Sequence, residues 1–365
     1  MGVLDGIKVI EIASSAPVSV CAMLLADMGA EVIVVEPPDA RPVLPRPEDI
    51  CNRGKRSIVL DLSQLDHVDV LLTLLDSADV FIEGLGPGVA EAGRFGPEVC
   101  LARRGSLVYG RSSGWGQHDQ LTQVPAPGGN AEAISGALWT ATAPNLRPTP
   151  HAGLVDVVGG GALYLAIGVL AAAVRAREDG HGQIVDAAVV DGAAHLQNLM
   201  MVALPARGGF ENIRPAANES FVMRSYRCAD GEWINISAIE PRFYLALLNK
   251  LGLSNDEQFV TGLEDKQAWD ELAARLESIF ASRSRSAWCG LLEGTDACAA
   301  PVLSPWDAAR HPHNAARGLY ATVDGVLQVV ATPRFSATPS APPRRVPLRG
   351  EHTNDVLQAV GRSGS

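Results

Sequence analysis

Residues 7–36 read IKVIEIASSAPVSVCAMLLADMGAEVIVVE, and this stretch decides the fold. Its two ends, 7–12 and 31–36, are short apolar runs rich in Val and Ile, which is typical of buried strands. Between them, residues 17–28 carry apolar side chains at helical spacing, and Gly29 ends that helix. A strand, a helix and a second strand in this order predict a right-handed βαβ unit.

The same alternation continues further along the chain. Strands are expected at 57–62, 80–83 and 106–109, with helices at 68–77 and 89–95 between them. This repetition predicts an open parallel sheet with helices on both faces, a doubly wound α/β domain.

The pattern changes after a long helix expected from Asp156 to Glu178. A hairpin is expected at 221–237, and three helices follow it. This mixture predicts a smaller α+β domain in the middle of the chain. We therefore place a second domain in this middle section.

The overall charge excludes some classes of function. The chain has 365 residues with 30 Lys and Arg against 41 Asp and Glu, a formal net charge of −11, so broad nucleic-acid binding is not expected.

The most apolar run, 159–174, is only about 16 residues long and indicates a buried helix, not a membrane span. The six cysteines show no CxxC pairing and Met1–Asp5 shows no signal-peptide pattern. These features predict a cytoplasmic protein without a metal site.

Several segments spread along the chain resemble the family III CoA-transferase and racemase superfamily. They are LDGIKVIE (4–11), LLADMGAEVI (24–33), NRGKRS (52–57), ADVFIE (78–83), GPGV (86–89), GWGQ (114–117) and GQIVDAA (182–188). Two later segments are similar to the α-methylacyl-CoA racemase branch: AIEPRFY (238–244), and TDAC (295–298) followed by PVL (301–303).

The resemblance implies an interlocked homodimer. It implies that both ends of the chain, 1–195 and 330–365, form a large α/β domain that carries the CoA portion of an acyl thioester, and that 196–329 form the small α+β domain. It implies a small-molecule acyl-CoA substrate and no permanently bound cofactor, whereas the charge and the length of the apolar run are what predict no nucleic-acid or membrane partner. In the racemase branch a His and an Asp act on opposite sides of the α-carbon of the thioester. In the transferase branch an Asp attacks the thioester and forms an acyl anhydride.

The chain departs from the racemase pattern at both catalytic positions. Where that pattern has Gly-His-Asp-Ile-Asn, residues 126–130 read APGGN, so Pro127 stands at the His position and Gly128 at the following Asp. Counting back from the glycine run at 159–161 puts Val157 at the second catalytic position and Asp156 one residue early. One residue in an α-helix is a rotation of about 100°, which would turn the carboxylate away. At an irregular helix start Asp156 would still reach the pocket, or it would act only as an N-cap.

Other candidate groups remain for the missing base. Glu240 matches the family's partner of the catalytic His, and it is either a pocket carboxylate or a residue that only begins a helix. His151 lies five residues before Asp156 and is either a replacement base or polar surface. The glycine run at 159–161 suits either close packing of a helix or close approach of a ligand.

The expected CoA site also departs from the family. Arg53, Lys55 and Arg56 are expected to bind CoA phosphates, together with Gly114 and Trp115 near the ligand. The Arg that usually precedes Pro-Gly is Gly86 here.

We therefore expect an acyl-CoA enzyme that acts at the thioester or its α-carbon with an altered reaction. The alternatives are a genuine 2-methylacyl-CoA racemase, a CoA transferase with Asp156 as nucleophile, a pocket reused without CoA, and a non-catalytic homologue.

Overall fold

The computed structural model describes residues 2–39, 44–118, 120–142, 147–203 and 220–361. The chain divides into two compact units. The large unit comprises Met1–Trp139, Pro148–Met201 and Gly318–Ser365, and the middle unit comprises Thr140–Arg147 and Val202–Arg317.

The large unit is built on a six-stranded sheet with the order β3-β2-β1-β4-β5-β6. Its strands are β1 (Lys8–Ile12), β2 (Glu31–Glu36), β3 (Arg56–Val59), β4 (Val80–Glu83), β5 (Val108–Ser113) and β6 (Ile184–Ala188). Every neighbouring pair in this order is parallel. The strand order reverses between β1 and β4, as in doubly wound sheets. The predicted α/β class with a large parallel sheet is confirmed.

The helices follow the strands as the sequence pattern indicated. They are α1 (Ala16–Asp27), α2 (Leu65–Leu75), α3 (Val89–Ala92), α4 (Pro97–Arg103), α5 (Gly128–Ser135), α6 (Ala137–Thr140), α7 (Leu163–Asp179), α8 (Val189–His195), α9 (Asn198–Ala203), α10 (Pro241–Leu251), α11 (Glu257–Gly262), α12 (Trp269–Phe280), α13 (Arg285–Leu292), α14 (Pro305–Arg310), α15 (Pro312–Ala316) and α16 (Thr353–Ala359). Sequence analysis missed several short helices, which carry few regularly spaced apolar residues: α4, α9, α11, α14, α15 and α16.

The core of the large unit lies on both faces of the sheet. Along β1, Val9 packs with Val18 of α1, whereas Ile10 packs on the other face with Leu71 of α2. Successive side chains of a strand point to opposite faces, so a strand buried on both sides reads as a continuous apolar run. This is why 31–36 has no polar alternation and still forms the buried strand β2.

The middle unit has a three-stranded antiparallel sheet made of β7 (Met223–Arg227), β8 (Trp233–Ser237) and β9 (Ala299–Pro301). Aromatic and aliphatic side chains from this sheet and from the helices around it form a separate core, which includes Tyr226, Leu247 and Phe280. The expected hairpin is therefore present.

A late hairpin belongs to the large unit, which both ends of the chain form, and not to the middle unit. β10 (Tyr320–Val323) and β11 (Val326–Val329) belong to the large unit, although the expected boundary placed residues up to 329 in the small domain. The guanidinium of Arg53 donates to Gln328 Oε1 at 2.8 Å and to the Val329 carbonyl at 2.9 Å, which ties the hairpin to the large unit. Residues 204–219 of the expected small domain lie outside the described part of the chain.

One helical stretch, Leu154–Asp179, is long and apolar enough to cross a membrane by length and composition alone. Core helices of soluble proteins pass the same test, and 44% of its most apolar window is buried inside the protein. It was expected as a buried helix.

Candidate active site

A pocket of about 450 Å³ opens at the carboxyl ends of β1, β4 and β5. Ser15 follows β1, residues 84–87 follow β4, and Gly114 and Trp115 follow β5. Ligands of doubly wound sheets bind at this edge, at the point where the strand order reverses. The pocket lies at that point, between β1 and β4, and its volume suits a small-molecule ligand.

Asp156 lines this pocket. Its residue is only 5% exposed, and the backbone N–H of Val157 donates to its Oδ1 at 2.7 Å. Among the described residues that line the pocket, Asp156 is the one titratable side chain. The sequence leaves open whether this carboxylate lines the site, and the structure places it in the lining of this pocket; its role in a reaction stays a prediction.

The backbone around Asp156 explains why its early position does not turn it away. Leu154–Ala162 is a π-helical segment, in which the Val158 N–H donates to the Gly153 carbonyl five residues earlier at 3.0 Å. The expected 100° rotation assumed α-helical geometry, and a π turn holds one more residue than an α turn. The count back from the glycine run gives Val157 because it assumes α-helical geometry. In the π-helical segment, Asp156 is the residue whose carboxylate lines the pocket.

The glycine run provides close packing of backbone. A Cβ on Gly192 of α8 would overlap the carbonyl of Gly160, and a Cβ on Gly161 would lie 2.8 Å from Pro17 of α1. Only glycines allow these approaches. The run thus holds the segment that carries Asp156 between α1 and α8.

Pro127 and Gly128 begin α5 beside Asp156. Pro127 is the N-cap residue, and Gly128 lines the pocket. A Cβ on Gly128 would overlap Asp156 Oδ2. Gly128, which replaces the family's loop Asp, has no side chain. The Asp156 carboxylate therefore occupies the space beside it.

His151 has a carboxylate partner in the fully buried Glu132 of α5. Its Nδ1 lies 2.8 Å from Glu132 Oε2, and its backbone N–H contacts both carboxylate oxygens at 3.3 Å. Such a partner fixes the orientation and tautomer of an imidazole. His151 itself is not among the residues that line the pocket.

Glu240 lies in the middle unit as the N-cap residue of α10. Its side chain is 58% exposed and lies 3.3 Å from Arg242 Nε. This arrangement is that of a residue that begins a helix, and the role of Glu240 in a pocket stays a prediction.

The cations that are expected to bind CoA phosphates, Arg53, Lys55 and Arg56, are each paired with a carboxylate in the structure. The guanidinium of Arg53 is buried and paired with Asp27 at 2.5 Å. Lys55 Nζ lies 2.6 Å from Glu11 Oε2, with both side chains fully buried. Arg56 is partly exposed and lies 3.2 Å from Glu31. Two of the three cations are therefore neutralised inside the protein, and a phosphate role for them would require these ion pairs to open.

Gly114 and Trp115 line the pocket as expected for residues near a ligand. Gly114 is required sterically, because a Cβ there would overlap the Ala126 side chain. The Trp115 Nε1 donor is buried and lacks a hydrogen-bond partner among the described residues. Ligand binding by either residue stays a prediction.

Sequence analysis missed three polar residues of this region. Ser15 and Thr122 line the pocket, and their hydroxyl oxygens are buried without a described partner. Glu132 orients His151. Isolated Ser, Thr and Glu residues carry no spacing signal, so only the three-dimensional arrangement identifies them.

A buried ionic network supports the wall of the pocket formed by residues 84–87. Arg111 of β5 donates to Glu83 Oε1 at 2.8 Å and to Glu91 at 2.7 Å. The other Glu83 oxygen accepts from the Leu85 N–H at 2.8 Å. Burial raises the pKa of Glu83. This network fixes the loop after β4.

The fold and the pocket define an enzyme of the CoA-transferase family III: the family model matches residues 4–353, and the chain belongs to that family. It is 35% identical to the alpha-methylacyl-CoA racemase of Mus musculus, over 99% of this chain and 94% of the relative. It is 30% identical to the acetyl-CoA:oxalate CoA-transferase of Acetobacter aceti, over 89% of this chain and 87% of the relative.

A solved structure has the same fold. The crystal structure of a CAIB/BAIF family protein from Brucella suis matches with a TM-score of 0.85 and 24% identity. The match covers 98% of this chain and 99% of that chain. At this identity the likeness concerns the fold alone.

Proposed function

We propose that the protein is an acyl-CoA enzyme that uses Asp156 as the single reacting carboxylate, at the thioester or its α-carbon. The observation that carries this proposal is that Asp156 alone, among the described residues that line the pocket, is titratable. A two-base racemase needs an acid and a base on opposite sides of the α-carbon. Pro127 cannot supply either.

One reaction that needs only a single carboxylate is CoA transfer. Asp156 would attack the thioester carbonyl, the C–S bond would break, and CoA would leave as the thiolate. The thiolate would then attack the Asp156 carbonyl of this mixed anhydride, which releases the first acid and leaves a thioester between Asp156 and CoA. An acceptor carboxylate would attack that thioester, expel the thiolate again and form a second anhydride with Asp156. The thiolate would finally attack the acceptor's carbonyl, which gives the new acyl-CoA and frees Asp156. The likeness to a CoA-transferase supports this route.

Racemisation is the second candidate, because 35% identity to a racemase extends over 99% of the chain. In that case Asp156 would remove the α-proton, and a second group would return a proton on the other face. The imidazole of His151, oriented by Glu132, is a candidate for that group.

Two measurements on one preparation distinguish the routes. Hydroxylamine trapping during turnover of an acyl-CoA should give a hydroxamate at Asp156, detected by mass spectrometry, and should fail in Asp156→Asn. Asp66→Asn, an exposed carboxylate in α2, is the control. Deuterium uptake at the α-carbon of a 2-methylacyl-CoA, without any trapped adduct, would favour racemisation. Full turnover by Asp156→Asn would refute both routes.

We also propose a homodimer, which the family resemblance implies. Support comes from an exposed apolar stripe on α7, where Leu163, Ile167 and Val174 share one helical face, and from exposed Leu199 and Met201 on α9. A second copy would bury these side chains. Sedimentation velocity should give a species of twice the chain mass, and a monomer at micromolar concentration would contradict this proposal.

A cytoplasmic location, the absence of a permanently bound cofactor, and a small-molecule acyl thioester as partner complete this proposal. They rest on the sequence pattern and on the family resemblance.

A further inference from the structure

The described lining of the pocket contains no Lys, Arg or His. Its one charged group is the carboxylate of Asp156, which is withdrawn from water. A carboxylate on the acyl group of a substrate would meet a like charge there and no compensating cation among the described lining residues. Burial of such a charge without a partner is strongly unfavourable.

Three hydrogen-bonding atoms of the same pocket lack partners. Ser15 Oγ, Trp115 Nε1 and Thr122 Oγ1 are all buried, and none has a partner among the described residues. Buried polar atoms are normally satisfied, so unsatisfied ones in a pocket point to a ligand or to water. The indole N–H donates only, so its partner must be an acceptor atom.

From the charge and the unpaired donors together, we propose that the pocket binds an uncharged substrate arm with an acceptor oxygen, and that it discriminates against acyl groups that end in a carboxylate. Trp115, Ser15 and Thr122 are the specificity residues for that oxygen. The oxygen is either a hydroxyl or carbonyl of the acyl chain or an amide carbonyl of the pantetheine arm. This proposal rests on the proposed function, because it takes the ligand to be an acyl-CoA.

Three acyl-CoA probes of similar size test the proposal by calorimetric titration. They are 2-methylpropanoyl-CoA, its 3-hydroxy derivative, and methylmalonyl-CoA, which carries a carboxylate. We expect methylmalonyl-CoA to bind at least about tenfold more weakly than the hydroxylated probe. Asp156→Asn should remove most of that difference, because the like charge is then absent. Equal or tighter binding of methylmalonyl-CoA by the unmodified protein would overturn the proposal.

Trp115→Phe keeps the ring and removes the donor. The loss should be about three- to tenfold in affinity, as for one hydrogen bond. If only the hydroxylated probe is weakened, the oxygen belongs to the acyl chain. If all probes and free CoA are weakened alike, it belongs to pantetheine. Unchanged affinity for every probe would overturn the assignment of Trp115.

Trp306→Phe, an exposed Trp in α14, is the matched control. Thr122→Val provides a second variant if Trp115→Phe does not fold, with the same expected results. Binding is measured without turnover. A protein that discriminates among the probes but gives neither a trapped adduct nor deuterium exchange would therefore refute the proposed reaction and leave the specificity intact.

Discussion

The carboxylate of Asp156 occupies the space into which a side chain at residue 128 would project, because a Cβ on Gly128 would overlap Asp156 Oδ2. The two residues come from different elements, the π-helical segment and the start of α5. The Asp156 carboxylate can therefore occupy its position only because residue 128, which lies 28 residues earlier in the sequence, is a glycine without a side chain.

The first prediction follows from this contact. Gly128→Ala should displace the carboxylate and lower acyl-CoA turnover by about 100-fold, since a shift of about 1 Å at a reacting group has effects of that order. Thioester consumption measures the rate, and thermal unfolding shows whether the fold persists. Gly105→Ala, which points into open space, should leave both unchanged. Unaltered turnover in Gly128→Ala would show that Asp156 does not act from its observed position.

The buried pair of Glu11 and Lys55 gives a prediction about stability. Lys55→Met should lower the free energy of unfolding by about 3–5 kcal/mol, because it leaves a fully buried carboxylate without its cation. Burial raises the pKa of Glu11, so protonation will relieve part of this loss at acidic pH. Urea unfolding measures the effect. The double variant Glu11→Gln/Lys55→Met should recover much of the stability, and failure to recover would mean that the charge is not the cause.

Arg56 provides the matched test for phosphate binding. It is partly exposed, and its ion pair with Glu31 contributes about 0–1 kcal/mol, so Arg56→Ala should unfold almost like the unmodified protein. If Arg56 contacts a CoA phosphate, titration with CoA will show an affinity about 10- to 100-fold lower. Unchanged affinity would remove Arg56 from the expected CoA site.

His151 distinguishes a one-carboxylate site from a two-base site. Because His151 does not line the pocket, His151→Gln should keep turnover within about threefold of the unmodified protein, whereas Asp156→Asn should abolish it. Initial rates with a saturating acyl-CoA are the measurement. Glu132→Gln should instead lower stability by about 1–3 kcal/mol, since a buried hydrogen-bonding group loses its partner. A loss above tenfold in His151→Gln would support racemisation.

Glu351 gives a prediction about pH. Hydrogen bonds from Arg345 and from the Leu348 N–H lower the pKa of Glu351 from 4.5 to about 2. A pKa lowered by folding means that the stabilising effect is present above 4.5 and is lost as the pH falls towards 2. The stability difference between the protein and Glu351→Gln should therefore shrink over that range in acid unfolding. A difference that is constant with pH would contradict this assignment.

The strands of the sheet were predictable because a strand that is buried on both faces carries a continuous run of apolar residues. The strand at 31–36 has an uninterrupted apolar run at 32–35 between two glutamates, since both faces of the sheet are covered there, and its predicted bounds are those of β2. The site was predictable only in part. Gly114 and Trp115 were predicted from the resemblance of the GWGQ segment to the family, and the structure places them in the pocket lining, directly after β5.

The remaining site features depend on contacts that the sequence does not encode locally. The count from the glycine run to Asp156 failed because local sequence did not reveal π-helical geometry. The pairing of Arg53 and Lys55 was not predictable because their carboxylate partners, Asp27 and Glu11, lie 26 and 44 residues away in sequence, and phosphate binding by these cations stays a prediction. A run of charged residues indicates an exposed surface only when no buried residue of opposite charge pairs with it.

The π-helical segment also affects how this chain tolerates changes in length. A π turn contains one residue more than an α turn, so deletion of one residue between Gly153 and Gly159 can be absorbed by conversion to an α-helix. Both ends of the segment are held, by the left-handed Gly153 and by the contact of Gly160 with Gly192, and neither needs to move. Sequence registers that differ by one residue at this point are thus compatible with one spatial position of the carboxylate.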